Sequence, residues 1–320
     1  MSIDPKVTGV RSLELCVRDL AASADYYTRH WGLTEVGRRE DRVVLRSTDA
    51  EHHVVELRQS PRIGVARITF AAPDVETVNA LHAKASAFGV RGLSTPATVD
   101  DFLGGGHGFE LMTPDGVELR ISAGVARHPA GISDPARPSR INHVVLNASD
   151  LDVQQRFFCD LLGFRFSDSI GHMNFIRCSA NHHSIALAKA DGASLNHVAF
   201  DSATFDTLMQ GVGRMRLASH EPGWGVGRHA APGHNIFAYF VDPNGFAIEL
   251  TTEVDQVDDT YVARYADYWG SLPLRPCAWA GQKMAPSKEM IEAMSGRLAQ
   301  NRSPFSEPSR LYTSSVETQT

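Results

Sequence analysis

The chain has 320 residues, 42% of them hydrophobic and 21% charged, with a formal charge of −6. That length exceeds one ordinary core and points to two domains, while the acidic balance excludes a protein held on nucleic acid by phosphate contacts, which needs a basic surface. No apolar run reaches the ~18 residues of a membrane span, and the polar start MSIDPKVTGV does not read as a signal peptide.

In chain order, LELCV at 13–17 reads as a short strand. Residues 19–33, DLAASADYYTRHWGL, form an amphipathic helix that Asp19 or Ser23 can start, with Tyr26, Tyr27 and Trp31 on its apolar side and Gly32 at its end. The strands RVVLR and VVELR follow, then the strand RITFA, a helix over VETVNALHAKASAFG, and strands ending at the PDG turn. ARHPAGISDPARPS, residues 126–139, is rich in Pro and Ala and reads as a linker. The second half repeats the order, with strands HVVLN and HVAFD, a helix at FDTLMQGVGRM and a PNG turn. Residues 253–320 bring the aromatic stretch YVARYADYW, the Pro-rich LPLRPCAW, a helix over SKEMIEAMSGRLAQ and a polar end expected to be mobile. Tyr261, Tyr265, Tyr268 and Trp269 are spaced so that several share a helical face, and the tail is expected to pack on or near the active site of the second domain.

The halves align at an offset of about 130 residues. Asp19-Leu20 matches Asp150-Leu151, Tyr26-Tyr27 matches Phe157-Phe158, and Gly32 matches Gly163. RSTDAEHHVVEL at 46–57 matches RCSANHHSIAL at 177–187, and TPDGVELRIS at 113–122 matches DPNGFAIELT at 242–251. With ARITFAAPDVETVNAL at 66–81 matching NHVAFDSATFDTL at 196–208, four blocks in constant order indicate a duplicated α+β domain, with the βαβββ unit occurring four times. The expected organisation is a first domain over 1–125, a linker over 126–139, a second domain over 140–252 and a tail over 253–320. The four cysteines, Cys16, Cys159, Cys178 and Cys277, are too widely spaced for a disulfide framework, so reduced thiols in a cytosolic protein are expected.

Eight of the 14 histidines fall between residues 143 and 234. Duplication lets equivalent positions be compared. The second half has His143 on its first strand, His197 on the strand after the linking turn and Glu249 on its last strand; the first half has Ser12, Arg67 and Arg120 there. None of those three is a good metal ligand. Two imidazoles and one carboxylate on one face of a divalent ion leave the opposite positions open, which suits non-heme Fe(II) enzymes that bind O2 and a substrate together. The spacings of 54 and 52 residues suit three strands converging in a cupped sheet rather than a local metal knot.

The paired modules, NHVAFD, YFVDPNGFAIEL and the run from GRH at 227–229 to HNIFAYF at 234–240 together resemble the type I extradiol ring-cleaving (catechol) dioxygenases of the vicinal oxygen chelate, or glyoxalase–bleomycin resistance, superfamily over about residues 8–252. The resemblance implies a first domain without metal and a second that holds Fe(II), or Mn(II), on His143, His197 and Glu249, with a small aromatic diol and O2 as reactants. It also implies His183 as the acid–base group, His229 in contact with the substrate hydroxyl, and Tyr239 as a hydrogen-bonding partner of the diol. His182 stands beside His183 as its alternative and as a candidate substrate contact; EHHVVEL in the metal-free half also carries His52-His53, so at least one of the pair is expected to be structural. Tyr239 lies ten residues before Glu249, which reads as the same strand direction and the same face. The stretch from His229 to Tyr239 is one residue longer than in some members, so His234 is an alternative substrate contact, with Asn235 orienting its neighbours. His220 and Trp224 lie in a Gly-rich loop leading to His229, and Arg228, Arg264 and Arg275 are candidates to meet a substrate carboxylate.

Rival readings keep the fold and change the chemistry: hydroquinone cleavage on the same ligand set, a metal-dependent glyoxalase-like isomerase, or a ligand-sequestering protein of the bleomycin-resistance type. Domains of this kind assemble through their outer faces, so a homo-oligomer is expected.

Overall fold

The computed structural model describes residues 4–129, 134, 136–272 and 276–299. Part of the expected linker, Arg275 and the polar end from residue 300 lie outside the described residues. The first half contains β1 (Gly9–Val17), α1 (Leu20–Asp25), β2 (Thr34–Arg38), β3 (Arg42–Arg46), β4 (Val55–Gln59), β5 (Gly64–Ala71), α2 (Val75–Phe88), β6 (Ala97–Thr98), β7 (His107–Met112) and β8 (Glu118–Ala123). The second half contains β9 (Ile141–Ala148), α3 (Leu151–Arg156), β10 (Arg165–Ser169), β11 (Met173–Arg177), β12 (Ile185–Lys189), β13 (Ser194–Asp201), α4 (Phe205–Leu217), β14 (Trp224–Arg228), β15 (Ile236–Val241) and β16 (Ala247–Thr252). The tail adds α5 (Ala266–Gly270) and α6 (Lys288–Met294). This is the α+β arrangement of four βαβββ units. Among the described residues no helix is long and apolar enough to cross a membrane.

Each half is one eight-stranded mixed sheet, in the orders β2-β3-β4-β1-β5-β8-β7-β6 and β10-β11-β12-β9-β13-β16-β15-β14. The opening strands of the two units, β9 and β13, pair antiparallel at the centre, and β16 lies parallel beside β13. Alternation then sorts side chains by face. Val144, Leu146, Val198, Phe200, Ile248 and Leu250 enter the main core with the helices. His143, His197 and Glu249, at the intervening positions, share the other face.

The local signals act as their chemistry demands. Asp19 caps α1 by accepting from Ala22 N, and Gly32 ends the segment at φ 93°. The helix is α only to Asp25 and continues as a π-helical turn over Tyr26–Trp31, with Tyr26, Tyr27 and Trp31 all buried. The halves share their core, since Trp31 meets Phe200 edge-on at 5.5 Å and Phe70 meets Phe164 at 5.5 Å. Arg214 of α4 closes the junction, donating to the carbonyls of His30, Trp31 and Ala136 at 2.8–2.9 Å. All four cysteines are free thiols.

The tail departs from its sequence pattern. Only 266–270 of the expected aromatic helix is helical, because the chain before it pairs with β10: Ser169 N donates to the Arg264 carbonyl at 2.9 Å. The last helix ends at Met294, short of the span the sequence suggests. Its Met290 and Ala293 pack against Phe237, Tyr239 and Ala247, on the face that carries the three ligand candidates.

In the first half the matching face is filled by charge. Arg67, at the position of His197, bridges Glu14, Glu56 (3.7 Å), Glu110 (3.0 Å) and Glu118 (2.8 Å). Glu14 and Glu56 are 4% and 3% exposed, so they need a cation. Arg67→Ala leaves both carboxylates buried and underpaired, and is expected to destabilise folding by about 3 kcal/mol, read as a lowered urea midpoint, with the second domain's metal content unchanged.

Candidate metal centre

Strand register brings the three ligand candidates together. His143 of β9 faces Ala199 of β13, and Ala199 faces Glu249 of β16, so the three form a row across adjacent strands. His197 lies two residues before Ala199 and therefore on the same face. Ala199, fully buried, contributes only a methyl between its larger neighbours. One donor atom from each of His143, His197 and Glu249 lies within 4.8 Å of the others.

Both imidazole Nε2 atoms stand 3.3 Å from the same oxygen, Glu249 Oε2. Yet His197 Nε2 and Glu249 Oε2 are buried without a hydrogen-bond partner. Unsatisfied buried polar atoms are costly, and here they aim at one common point. Two donors about 2.1 Å from one ion and at right angles lie about 3 Å apart, so the spacing fits a single divalent cation.

The surroundings fix which nitrogen is free. His143 Nδ1 contacts Asn142 Oδ1 at 2.9 Å, and His197 Nδ1 contacts Asn196 Oδ1 at 2.8 Å. A carboxamide oxygen accepts only, so each Nδ1 donates and each Nε2 keeps its lone pair. The amides are held in turn: Asn196 Nδ2 donates to Asn147 Oδ1 at 3.0 Å, and Asn235 Nδ2 donates to Glu249 Oε1 at 3.0 Å and to Thr251 Oγ1 at 2.8 Å. Burial lowers His197.

Four more candidates surround this point. The His183 ring lies 4.3 Å from that of His143, centre to centre, and is 3% exposed. Burial, then the neighbouring imidazoles, depress its pKa well below the ordinary value. Gly233, at φ +91°, approaches so closely that a Cβ there would sit 3.0 Å from His183 Cε1; only glycine fits. Tyr239 is opposite Glu249 on the antiparallel neighbour β15, so the reading that places them along one strand direction is corrected while the shared face holds. Its hydroxyl, kept protonated by burial and then by the charge of Glu249, lies 3.2 Å from His229 Nε2. His229 is itself lowered to about 4, chiefly by burial. Trp224 stacks on Tyr239 at 5.0 Å and donates from Nε1 to the Met284 carbonyl at 3.0 Å.

Two candidates sit outward of these. His234, at φ 44°, turns away and pairs with Asp255 through Nδ1 at 2.6 Å, with its side chain 42% exposed. His182 is buried, but its Nε2 meets Asp168 Oδ2 at 2.9 Å. Arg264 lies over the rings of Tyr261, Tyr268 and Trp269, and Arg228 pairs with Glu253. The sequence reading missed Asn142, Asn196 and Asp168. The repeated Asn-His dipeptide at the two metal-facing histidines was an available signal; Asp168 had none within its own strand.

Residues 9–121 and 140–250 both match the glyoxalase/bleomycin resistance protein/dioxygenase superfamily. The chain belongs to that superfamily. Among curated superfamily relatives, metapyrocatechase 2 of Cupriavidus necator is 29% identical over 182 residues, which is 49% of this chain and 56% of that protein. The 3-methylcatechol 2,3-dioxygenase of Pseudomonas putida is 30% identical over 156 residues, 44% of this chain and 53% of its own. The chain thus spans about half the length of these curated relatives. Of solved structures, the Mn(II)-bound glyoxalase from Novosphingobium aromaticivorans is 36% identical, with a TM-score of 0.77 over 81% of this chain and 87% of its own. Homoprotocatechuate 2,3-dioxygenase from Brevibacterium fuscum, in complex with 3,4-dihydroxyphenylacetate, shares the fold at 20% identity and a TM-score of 0.77, covering 90% of this chain and 92% of its own.

Removing an orienting amide should loosen the metal without unfolding the sheet. Asn196→Ala is expected to bind Fe(II) or Mn(II) about 10–100-fold more weakly, measured by competition with a chelator, with an unchanged melting temperature in the metal-free state.

Proposed function

We propose that this chain is an extradiol-type dioxygenase that opens a catechol-type aromatic diol with O2 beside a hydroxylated carbon, giving a semialdehyde-type product in aromatic compound catabolism. The observation that carries the reading is the company the ligand set keeps. His183 on one side and the His229–Tyr239 pair on the other flank the point at which His143, His197 and Glu249 converge. The names of the curated catechol-cleaving relatives support the same reading.

Fe(II), or Mn(II), on His143, His197 and Glu249 would supply open positions for diol and O2 and a path for electrons between them. Asn142 and Asn196 hold both imidazoles in the ligating tautomer, and Asn235 holds the carboxylate. The Tyr239 hydroxyl and His229, both uncharged, offer polar contacts to a deprotonated diol oxygen in a site walled by Trp224, Phe237 and Phe175. His183 is the group placed to take up and return a proton near the ring. The free thiols suit a reducing cytoplasm, and exposed Phe205, Met209 and Trp279 suit a homo-oligomer.

A glyoxalase-type isomerase is the second reading, favoured by the 36% identity to the Mn(II)-bound glyoxalase. Oxygen uptake separates the two. Anaerobic protein given Fe(II) and catechol, then air, should consume O2 and turn yellow; isomerisation consumes none, and hydroquinone in place of catechol tests the related cleavage. His143→Ala should lose stoichiometric metal and ring cleavage together, and retention of both at wild-type levels overturns the ligand assignment. His183→Phe should keep its metal and turn over about 10²-fold more slowly or worse.

A further inference from the structure

The tandem histidines of the second domain are one end of a buried polar chain that no ligand of the metal centre belongs to. Asp168, on β10, is fully buried. Its Oδ1 accepts from Arg264 N at 2.7 Å, and its Oδ2 accepts from the Tyr261 hydroxyl at 2.9 Å. His182 Nε2 stands 2.9 Å from the same Oδ2. Every neighbour of this carboxylate is a donor, so His182 Nε2 carries a hydrogen. A singly protonated imidazole with its proton on Nε2 has a lone pair on Nδ1. His183 Nδ1 lies 3.2 Å from that lone pair. It must donate, which leaves His183 Nε2 bare.

We propose that Asp168 and His182 are positioning residues that set the tautomer of His183, presenting its Nε2 to the site as an unprotonated acceptor. Phe175 packs on both rings, at 5.8 Å from His182 and 5.3 Å from His183. From the opposite side Gly233 closes on His183. The ring has little freedom to turn and exchange its nitrogens.

The first domain provides an internal control. His52 and His53 make the same contact, Nδ1 to Nδ1 at 3.1 Å. The strand register is also the same: Gly37 faces Val44 as Asp168 faces Phe175, each after a bulge. The position of Asp168 is therefore Gly37, where a Cβ would meet Val44 and Phe102 at 3.0–3.1 Å. His52 stacks instead on His128 at 5.5 Å. The tandem pair is common scaffold. The carboxylate behind it exists only in the half that carries the ligand set.

Tyr261 and Arg264 come from beyond the repeat. The tail reaches Asp168 through backbone pairing, with His182 N donating to the Asp255 carbonyl at 2.7 Å and Val257 N to the Ala180 carbonyl at 2.7 Å. It thereby seals the outer end of the chain whose inner end faces the metal centre. This gives the tail a part in the site.

The catalytic use of this acceptor rests on the ring-cleaving reading; the tautomer does not. The test is a long-range proton–nitrogen correlation spectrum of the metal-free full chain labelled with 15N-histidine. Wild type should show His183 protonated on Nδ1, assigned by its loss in His183→Phe. In Asp168→Asn the carboxamide can donate to His182 Nε2, and the His183 proton should move to Nε2. The loaded variant should keep its metal and KM and lose kcat by about tenfold or more, whereas Tyr261→Phe, which keeps the carboxylate, should retain the wild-type tautomer and most turnover. A wild-type His183 protonated on Nε2 overturns the proposal, even if Asp168→Asn fails to fold, and so does an unmoved proton in that variant. A shifted tautomer in a protein that cleaves no diol retires the ring-cleaving reading and leaves the tautomer assignment standing.

Discussion

A fully buried carboxylate faced by two imidazoles, with no hydrogen bond between them, is the constraint on which the second domain is built. Glu249 cannot be left in a low-dielectric interior without a positive partner. The imidazoles opposite it are each turned by an asparagine so that the lone pair, not the proton, faces inward. The arrangement is under-satisfied within the chain and becomes satisfied when a divalent ion is added. The central position of β9, β13 and β16, the methyl at Ala199 and the amides of Asn142, Asn196 and Asn235 all serve that single requirement.

The first domain meets a comparable requirement with a covalent cation. The guanidinium of Arg67 occupies the place of His197 and gathers four carboxylates. Both domains place a positive centre on the same face of the same sheet. In the first it is a side chain; in the second the proposed ligand set leaves that place to a bound ion. The shared scaffold thus carries two different electrostatic arrangements on equivalent positions.

The tail has a structural logic of its own. An eight-stranded sheet with helices on one face leaves the other face to be covered. In the second half α6 covers it near Tyr239, and the strand-like run from 253 to 264 covers it near His182. Both contacts fall on aromatic or polar side chains that stand one step outside the proposed ligands. The tail therefore covers side chains next to the proposed ligands, and among the described residues it adds no ligand of its own.

Much of this was readable from the chain alone, and the reason is locality. The duplication, the βαβββ order and the helix caps at Asp19 and Gly32 follow from short-range patterns. The set His143, His197 and Glu249 was singled out by comparing its positions with Ser12, Arg67 and Arg120. Strand alternation says which face a residue takes, and that was enough to put Tyr239 and Glu249 on one side. It does not say which strands are neighbours, so their opposition across an antiparallel pair belonged to the tertiary structure. So did the directions the two loop histidines take: His229 faces Tyr239, while His234, at φ 44°, pairs with Asp255. The tautomers were furthest from reach: an imidazole's free nitrogen is set by the partner of its other nitrogen. For His143 and His197 that partner is the adjacent asparagine, which lies in plain sight; for His182 it is Asp168, 14 residues away, brought there only by the folding of the sheet.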